Sequence, residues 1–220
     1  MSDDEKTWPE PRTNPDLIGH EAAETALLDS LRSGRMHHAW LFCGPEGIGK
    51  ATLAFRFARY LLAGAAPRAG LFGETNRLDL EPTNPAFKRV AAGSHADLLT
   101  VSIGRNPDTG KMRSEIVVED VRGVSSFLHM TPAEGGYRVV VVDSVDAMNR
   151  NAANALLKIL EEPPAQAVLL LVCHAPGRVL TTIRSRCRKL VLHPLGAQQM
   201  DSLLARYLPE LSQADRMSIA

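Results

Sequence analysis

Cysteine is scarce in this sequence, and the few cysteines present do not form a recognisable metal or disulfide pattern. The 220 residues include only Cys43, Cys173 and Cys187, which lie far apart and form no C-x-x-C pair. Three cysteines are too few for a zinc site built from four of them. An odd number of widely spaced cysteines also argues against a disulfide framework, and it predicts reduced, buried thiols in a cytoplasmic protein.

Net charge and long apolar runs are absent as well. The 25 basic residues balance the 25 acidic ones, so the formal net charge is zero. This balance argues against a protein that coats DNA generally, but a local basic patch is compatible with it. No apolar run approaches the roughly 20 residues that a membrane helix needs, and the acidic start at 1–6 is not typical of a secretory signal. We therefore expect a cytoplasmic globular protein without membrane contact.

The most specific pattern present is a glycine-rich loop, Gly44-Pro45-Glu46-Gly47-Ile48-Gly49-Lys50. It matches G-x-x-x-x-G-K, in which backbone N–H groups enclose phosphates and the lysine reaches the terminal ones. A strand-like apolar run, 39–43, precedes the loop and a helical pattern, 51–62, follows it. The alternative is an ordinary glycine-rich turn, but the strand–loop–helix context favours a nucleotide site.

The position after the lysine lacks the hydroxyl that normally binds Mg²⁺. Ala51 occupies it, and Thr52 comes one residue late, about 100° further round the helix. We therefore expect 44–52 to bind ATP or ADP weakly, in a site poorly suited to Mg²⁺ and to hydrolysis.

A second nucleotide-related pattern is the valine run 139–142 followed by Asp143. It is typical of a Walker B strand, whose acid organises the Mg²⁺ shell, although a core strand that happens to end in Asp is the alternative. The next position, where active ATPases of this architecture carry a glutamate, is Ser144. A positioned general base contributes about 10²–10⁴ in rate, so we expect little turnover. Asp146 is a candidate substitute base, but we predict that it caps a helix. His174 is a candidate phosphate sensor or an incidental loop residue.

The alternation of apolar strands and helical patterns predicts an α/β fold with a parallel sheet covered on both faces. We predict an extended N-terminal lead-in (1–16), a nucleotide-binding domain (17–194) and an incomplete helical lid domain (195–220), as in a fragment of a longer protein. The Pro- and Gly-rich stretch 63–97 is predicted to be an insertion with little regular structure. A helix is predicted from about residue 146 to 161.

Two later stretches narrow the family. One is residues 151–164, NAANALLKILEEPP, and the other is Ile183-Arg184-Ser185-Arg186-Cys187. Taken alone, the arginines of the second stretch could lie in a solvated surface turn. Together, however, the two stretches resemble the clamp-loader branch of the AAA+ family, and within it the delta prime family of bacterial DNA polymerase III, from about residue 15 to 194. The gamma/tau motor subunits are similar, but they would be expected to carry a hydroxyl and an acid where this chain has Ala51 and Ser144.

The resemblance implies an AAA+ P-loop domain with a weak or silent ATP site of its own. It implies that Arg186 acts in trans, as an arginine finger directed at ATP in a neighbouring motor subunit. The implied partners are gamma/tau and delta subunits in a hetero-pentamer that loads the sliding clamp on primed DNA. Many relatives carry a four-cysteine zinc module before Walker B, but 63–97 contains no cysteine, so we expect no zinc. The alternatives are a self-sufficient P-loop ATPase or kinase, and a scaffold in which Arg186 is inert.

Overall fold

The computed structural model describes residues 8–64, 77–134 and 136–219. Its strands are β1 Ala39–Cys43, β2 Leu98–Ser102, β3 Arg138–Asp143, β4 Ala167–Cys173 and β5 Arg188–Val191. Its α-helices are α1 Glu21–Arg32, α2 Lys50–Leu62, α3 Pro85–Ala91, α4 Val118–His129, α5 Arg150–Glu161, α6 Thr181–Arg184, α7 Ala197–Tyr207 and α8 Gln213–Ile219. Short 3₁₀ turns lie at Val145–Ala147 and Pro176–Arg178.

The strands form one parallel sheet in the order β2-β3-β4-β1-β5. All residues of β1 and β4 are buried, because successive side chains enter two different cores. On one face, side chains such as Leu41 and Leu171 pack with α4 and α5. On the other face, Trp40 and Leu170 pack with α1 and α2. The predicted parallel sheet with helices on both faces is confirmed.

The sheet order brings three candidate segments to one edge. β4 lies between β1 and β3, and Cys43 is paired with Cys173 while Asp143 is paired with Val172. The glycine loop after β1, Asp143 at the end of β3 and the loop after β4 therefore meet at the carboxyl end of the sheet. This is where parallel α/β sheets bind ligands.

Two local predictions are corrected. The helix expected from about residue 146 begins only at Arg150, after the 3₁₀ turn Val145–Ala147. Its N-cap is Asn149, whose Oδ1 accepts a 2.9 Å hydrogen bond from the N–H of Ala152.

The second correction concerns the stretch 63–97, which contains helix α3. The side chain of Asn84 caps this helix and Pro85 begins it, both favourable positions for those residues. Phe87 and Val90 are buried. Residues 65–76 of the predicted insertion lie outside the described residues. The predicted domain boundaries stay predictions.

Cys43 and Cys173 are free and buried, as predicted, whereas Cys187 is only half-buried. Within the described ranges, no helix combines the length and apolarity needed to cross a bilayer.

Candidate nucleotide site

The glycine loop joins β1 to α2 through backbone conformations that favour glycine. Gly44, Gly47 and Gly49 all have positive φ values, of 154°, 82° and 96°. At Gly44 a Cβ atom would lie 2.5 Å from the carbonyl oxygen of Leu192, so a side chain cannot fit there. Gly49 is the N-cap of α2, which places the unpaired N–H groups of the first helical turn at the loop. The local geometry is that of a phosphate-binding loop.

Lys50, the first residue of α2, is bent back over the loop. Its side chain is only 2% exposed, and its ammonium donates a hydrogen bond to the carbonyl of Pro45. Burial lowers the pKa of Lys50, and the carboxylates of Asp143 and Asp146 oppose that shift. The carbonyl of Ile48 lies 2.6 Å from Nε2 of His20, which fixes the opposite side of the loop. These contacts hold the loop closed around the lysine.

The loop faces a cleft of about 1100 Å³. Its lining includes the consecutive residues 46–52 and Asp143, but Gly44 and Pro45 lie outside the described lining, at the base of the loop. The predicted loop and Walker B residues are therefore brought to one site.

The Mg²⁺ ligands are less complete than the phosphate cradle. Ala51 offers no side-chain oxygen, and Thr52 is buried at the next helical position. Mg²⁺ requires near-octahedral oxygen coordination, normally with the P-loop hydroxyl as one ligand. The residues present fit a nucleotide phosphate, but they do not fit the usual coordination of its Mg²⁺.

Asp143 is the one Walker B acid, and its charge is poorly stabilised. Burial raises its pKa, while His174 and Lys50 oppose the shift. Nε2 of His174 lies 3.9 Å from Oδ1 of Asp143. His174 therefore lies beside the cleft acid at the end of β4, and its proposed role as a phosphate sensor stays a prediction.

Asp146 neither caps a helix nor presents a free carboxylate. Its Oδ1 accepts a 2.8 Å hydrogen bond from the N–H of His174, and its Oδ2 accepts one of 3.2 Å from that of Ala175. The carboxylate thus fixes the loop after β4. The prediction that Asp146 caps the following helix is wrong, because this loop satisfies its oxygens instead.

The N-terminal residues 8–16 form one wall of the cleft, although no pattern in their sequence indicates this. The hydroxyl of Tyr207, at the end of α7, donates a 3.0 Å hydrogen bond to Oδ1 of Asn14. Arg206 pairs with Asp16 at 2.8 Å, and the rings of Trp8 and Tyr207 lie 5.0 Å apart. The N-terminal segment therefore joins the phosphate-loop domain to the predicted lid.

Two buried arginines of α2, Arg56 and Arg59, hold the N-terminal segment 8–16 against this helix. Arg59 donates hydrogen bonds of 2.9 and 2.7 Å to the carbonyls of Arg12 and Asn14. Arg56 donates to the carbonyl of Pro15 and pairs with Glu24 at 3.0 Å. The sequence indicates this only by placing two arginines in a helix that is otherwise largely apolar. Such buried charges need partners, and here the partners are largely backbone carbonyls of the N-terminal segment.

Arg186 itself lies outside the described lining of the cleft. Its side chain is 36% exposed and pairs with Oε1 of Glu161 at 3.1 Å. It also donates a 3.0 Å hydrogen bond to the carbonyl of Thr182. Arg178, which belongs to no motif of the sequence, does line the cleft.

Comparison with known proteins identifies close relatives. A family model described as "DNA polymerase III, delta subunit" matches residues 19–196. The delta prime subunit of Pseudomonas aeruginosa DNA polymerase III is 39% identical over 188 residues, which cover 85% of this chain and 53% of that protein. The tau subunit of Salmonella typhimurium is 32% identical over 200 residues, covering 91% of this chain and 28% of that protein. The chain therefore spans about half the length of the first relative and less of the second.

Solved structures support the fold. A gamma-subunit-related protein of Thermotoga maritima matches with a TM-score of 0.55 and 20% identity, covering 89% of this chain and 58% of that one. The RuvB Holliday junction branch migration motor of the same organism matches with a TM-score of 0.56 and 17% identity, covering 96% and 59%. At these identities the likeness concerns the fold alone. The predicted AAA+ P-loop fold is confirmed.

Proposed function

Since the chain belongs to the delta prime family of DNA polymerase III subunits, we propose that it serves as a clamp-loader subunit. In this role it assists the ATP-dependent loading of a sliding clamp on primed DNA. Its partners would be motor subunits related to tau and gamma, together with a delta subunit, in a hetero-pentamer. The similarity to delta prime, tau and gamma proteins supports such an assembly.

The chain's own nucleotide site would bind ATP or ADP weakly and hydrolyse it little. Two substitutions support this part of the proposal. Ala51 removes the metal-binding hydroxyl, and Ser144 replaces the carboxylate that would activate water. Asp146 is not a ready substitute base, because two backbone N–H groups already occupy its carboxylate.

The active contribution of the chain would be Arg186, acting on ATP in a neighbouring motor subunit. The observation that supports this best is its position at the surface, outside the described lining of the chain's own cleft and yet partly exposed. A guanidinium is well suited to the charge that develops on phosphate oxygens. An arginine finger supplied in trans contributes about 10³–10⁵ in rate.

A self-sufficient P-loop ATPase is the second candidate. It is favoured by the intact loop 44–50, the buried Lys50 and the retained Asp143, which the motor subunits would also need. This candidate requires turnover by the isolated chain, whereas the leading proposal requires turnover only in the complex.

The experiment compares the full-length protein, alone and mixed with motor and delta subunits, as wild type, Arg186→Ala and Arg184→Ala. Arg184 is a matched control, because it is an exposed arginine two residues before Arg186, at the end of α6, and it donates a hydrogen bond to the hydroxyl of Thr181. In the mixed complex, Arg186→Ala should slow hydrolysis at the adjoining site by about 10³-fold or more. In a rapid-quench experiment, the burst amplitude counts the sites that hydrolyse ATP in the first turnover. For the Arg186→Ala complex this amplitude should be smaller by one site.

Arg184→Ala should keep the full burst. Strong hydrolysis by the isolated wild-type protein would favour the second candidate. A full burst from the Arg186→Ala complex would show that the finger assignment is wrong.

A further inference from the structure

Arg178 is a cation of the nucleotide cleft that the proposed function leaves without a role. It ends the 3₁₀ turn Pro176–Arg178, in the loop that follows β4. Because β4 lies between β1 and β3, this loop leaves the sheet between the glycine loop and Asp143. Arg178 is exposed and lines the same cleft as Lys50. Among the described residues, its guanidinium has no carboxylate partner.

The cleft is short of oxygen ligands for a metal ion. Ala51 lacks the hydroxyl, and both carboxylate oxygens of Asp146 accept backbone hydrogen bonds. Asp16, which also lines the cleft, is paired with Arg206. Asp143 and the exposed loop residue Glu46 remain in the cleft, and Asp143 lies beside His174. Without a hydroxyl at position 51, these residues do not provide the usual oxygen coordination of a nucleotide-bound Mg²⁺.

A nucleotide polyphosphate nevertheless needs positive charge around it. The P-loop lysine supplies one charge, and Mg²⁺ normally supplies two more between the β- and γ-phosphates. An arginine can replace part of this charge, because its planar guanidinium forms paired, charge-assisted hydrogen bonds with phosphate oxygens. Arg178 is exposed in the same cleft as Lys50 and has a guanidinium that no described acid neutralises.

We propose that this site binds nucleotide polyphosphate without Mg²⁺, and that Arg178 provides the countercharge that the metal ion provides elsewhere. The inference rests on the weak nucleotide site of the proposed function and specifies its ligand, a metal-free nucleoside di- or triphosphate. Arg178 would contact phosphate directly and determine the metal requirement of the site.

The test measures ATP binding to the full-length protein by isothermal titration calorimetry, once with Mg²⁺ and once with EDTA. The wild-type affinity should agree within about twofold between the two buffers. Arg178→Ala should weaken binding about tenfold or more in both, the loss expected for a hydrogen bond to a charged group. Arg184→Ala is the matched control and should bind as the wild type does. Circular dichroism melts should show that both variants are folded, since both arginines are exposed.

Ala51→Ser supplies the reciprocal test. Restoring a hydroxyl after Lys50 should make ATP binding severalfold tighter with Mg²⁺ than with EDTA, while the wild type shows no such difference. The proposal is overturned if the wild type loses tenfold or more in EDTA, if it binds no ATP in either buffer, if Arg178→Ala binds normally, or if Ala51→Ser gains no Mg²⁺ dependence. None of these variants alters Arg186, so such a failure leaves the trans arginine finger to its own test in the mixed complex.

Discussion

The ion pair between Arg56 and Glu24 makes the sharpest prediction about stability. Arg56 is 3% exposed and Glu24 is 1% exposed, and Arg56 Nε lies 3.0 Å from Glu24 Oε1. Arg56→Met keeps an apolar stem of similar length but leaves the Glu24 carboxylate buried without its partner. Breaking a buried pair in this way costs about 3–5 kcal/mol. The second partner, Asp79, is 61% exposed and adds little. At about 2–4 °C per kcal/mol for a chain of this size, the melting temperature should fall by about 6–20 °C.

The loss should depend on pH, with a sign fixed by Glu24. Burial already raises the pKa of Glu24, and Arg56 opposes that shift. Without Arg56 the folded-state pKa rises further, so the folded protein holds the proton more strongly than the unfolded chain. The charged carboxylate is therefore most costly at neutral pH, and the penalty shrinks as the pH falls toward the ordinary glutamate value of about 4.3.

Urea unfolding followed by circular dichroism at pH 7 and pH 5 measures both effects. Arg77→Met is the control, because Arg77 and its partner Asp79 are exposed and 3.5 Å apart, and its cost should stay within about 0.5 kcal/mol. Adding Glu24→Gln to Arg56→Met should recover part of the loss. A cost of less than about 1 kcal/mol for Arg56→Met at pH 7, or an equally large cost at pH 5, would show that the buried Glu24 carboxylate does not depend on Arg56.

Two further predictions concern Asp143 and the N-cap of α5. Asp143→Asn should stabilise the protein at neutral pH, because burial raises the pKa of Asp143 and the stability of its protonated form is lost as pH rises through that value. Melts at pH 7 and near pH 4 should show the advantage shrinking in acid, and an equal advantage at both would contradict the raised pKa. Asn149→Ala should cost about 1 kcal/mol by removing the cap of α5. Asn151→Ala, an exposed change in the same first turn, should cost clearly less in urea unfolding, and equal costs would argue against Asn149 as the cap.

The parts of the fold that could be predicted depend on local patterns. The valine run of β3 and the glycine loop before α2 each specify their structure within a few residues. The beginning of α5 could not be predicted, because Asp146 and Asn149 are both good N-cap residues and only the loop after β4 decides between them. That loop comes 28 residues later, and its N–H groups donate hydrogen bonds to the Asp146 carboxylate.

The cleft wall formed by residues 8–16 could not be predicted either, because it also depends on contacts between residues that are far apart in the sequence. Asn14 and Tyr207 are 193 positions apart, and nothing in the polar segment 8–16 indicates that it packs against α7. Arg56 and Arg59 of α2 hold this segment, but arginines are usually exposed, so the sequence alone does not indicate that these two are buried. Helix α3 was hidden in a different way, since its local Asn84-Pro85 capping signature lies in a stretch whose overall Pro and Gly content predicts a loop.

The glycine loop is weaker evidence for hydrolysis than its pattern suggests. Gly44 is required by the fold itself, because any Cβ there would meet the carbonyl of Leu192 after β5. Gly49 is required by the left-handed N-cap of α2. These glycines would be needed even in a chain that never hydrolysed ATP. No such packing requirement demands a hydroxyl at position 51, because Ala51 packs against the core without one, and a hydroxyl there normally serves to bind the metal ion. Ala51 is therefore the more informative residue of the loop, and it favours a site that holds phosphate without turning it over.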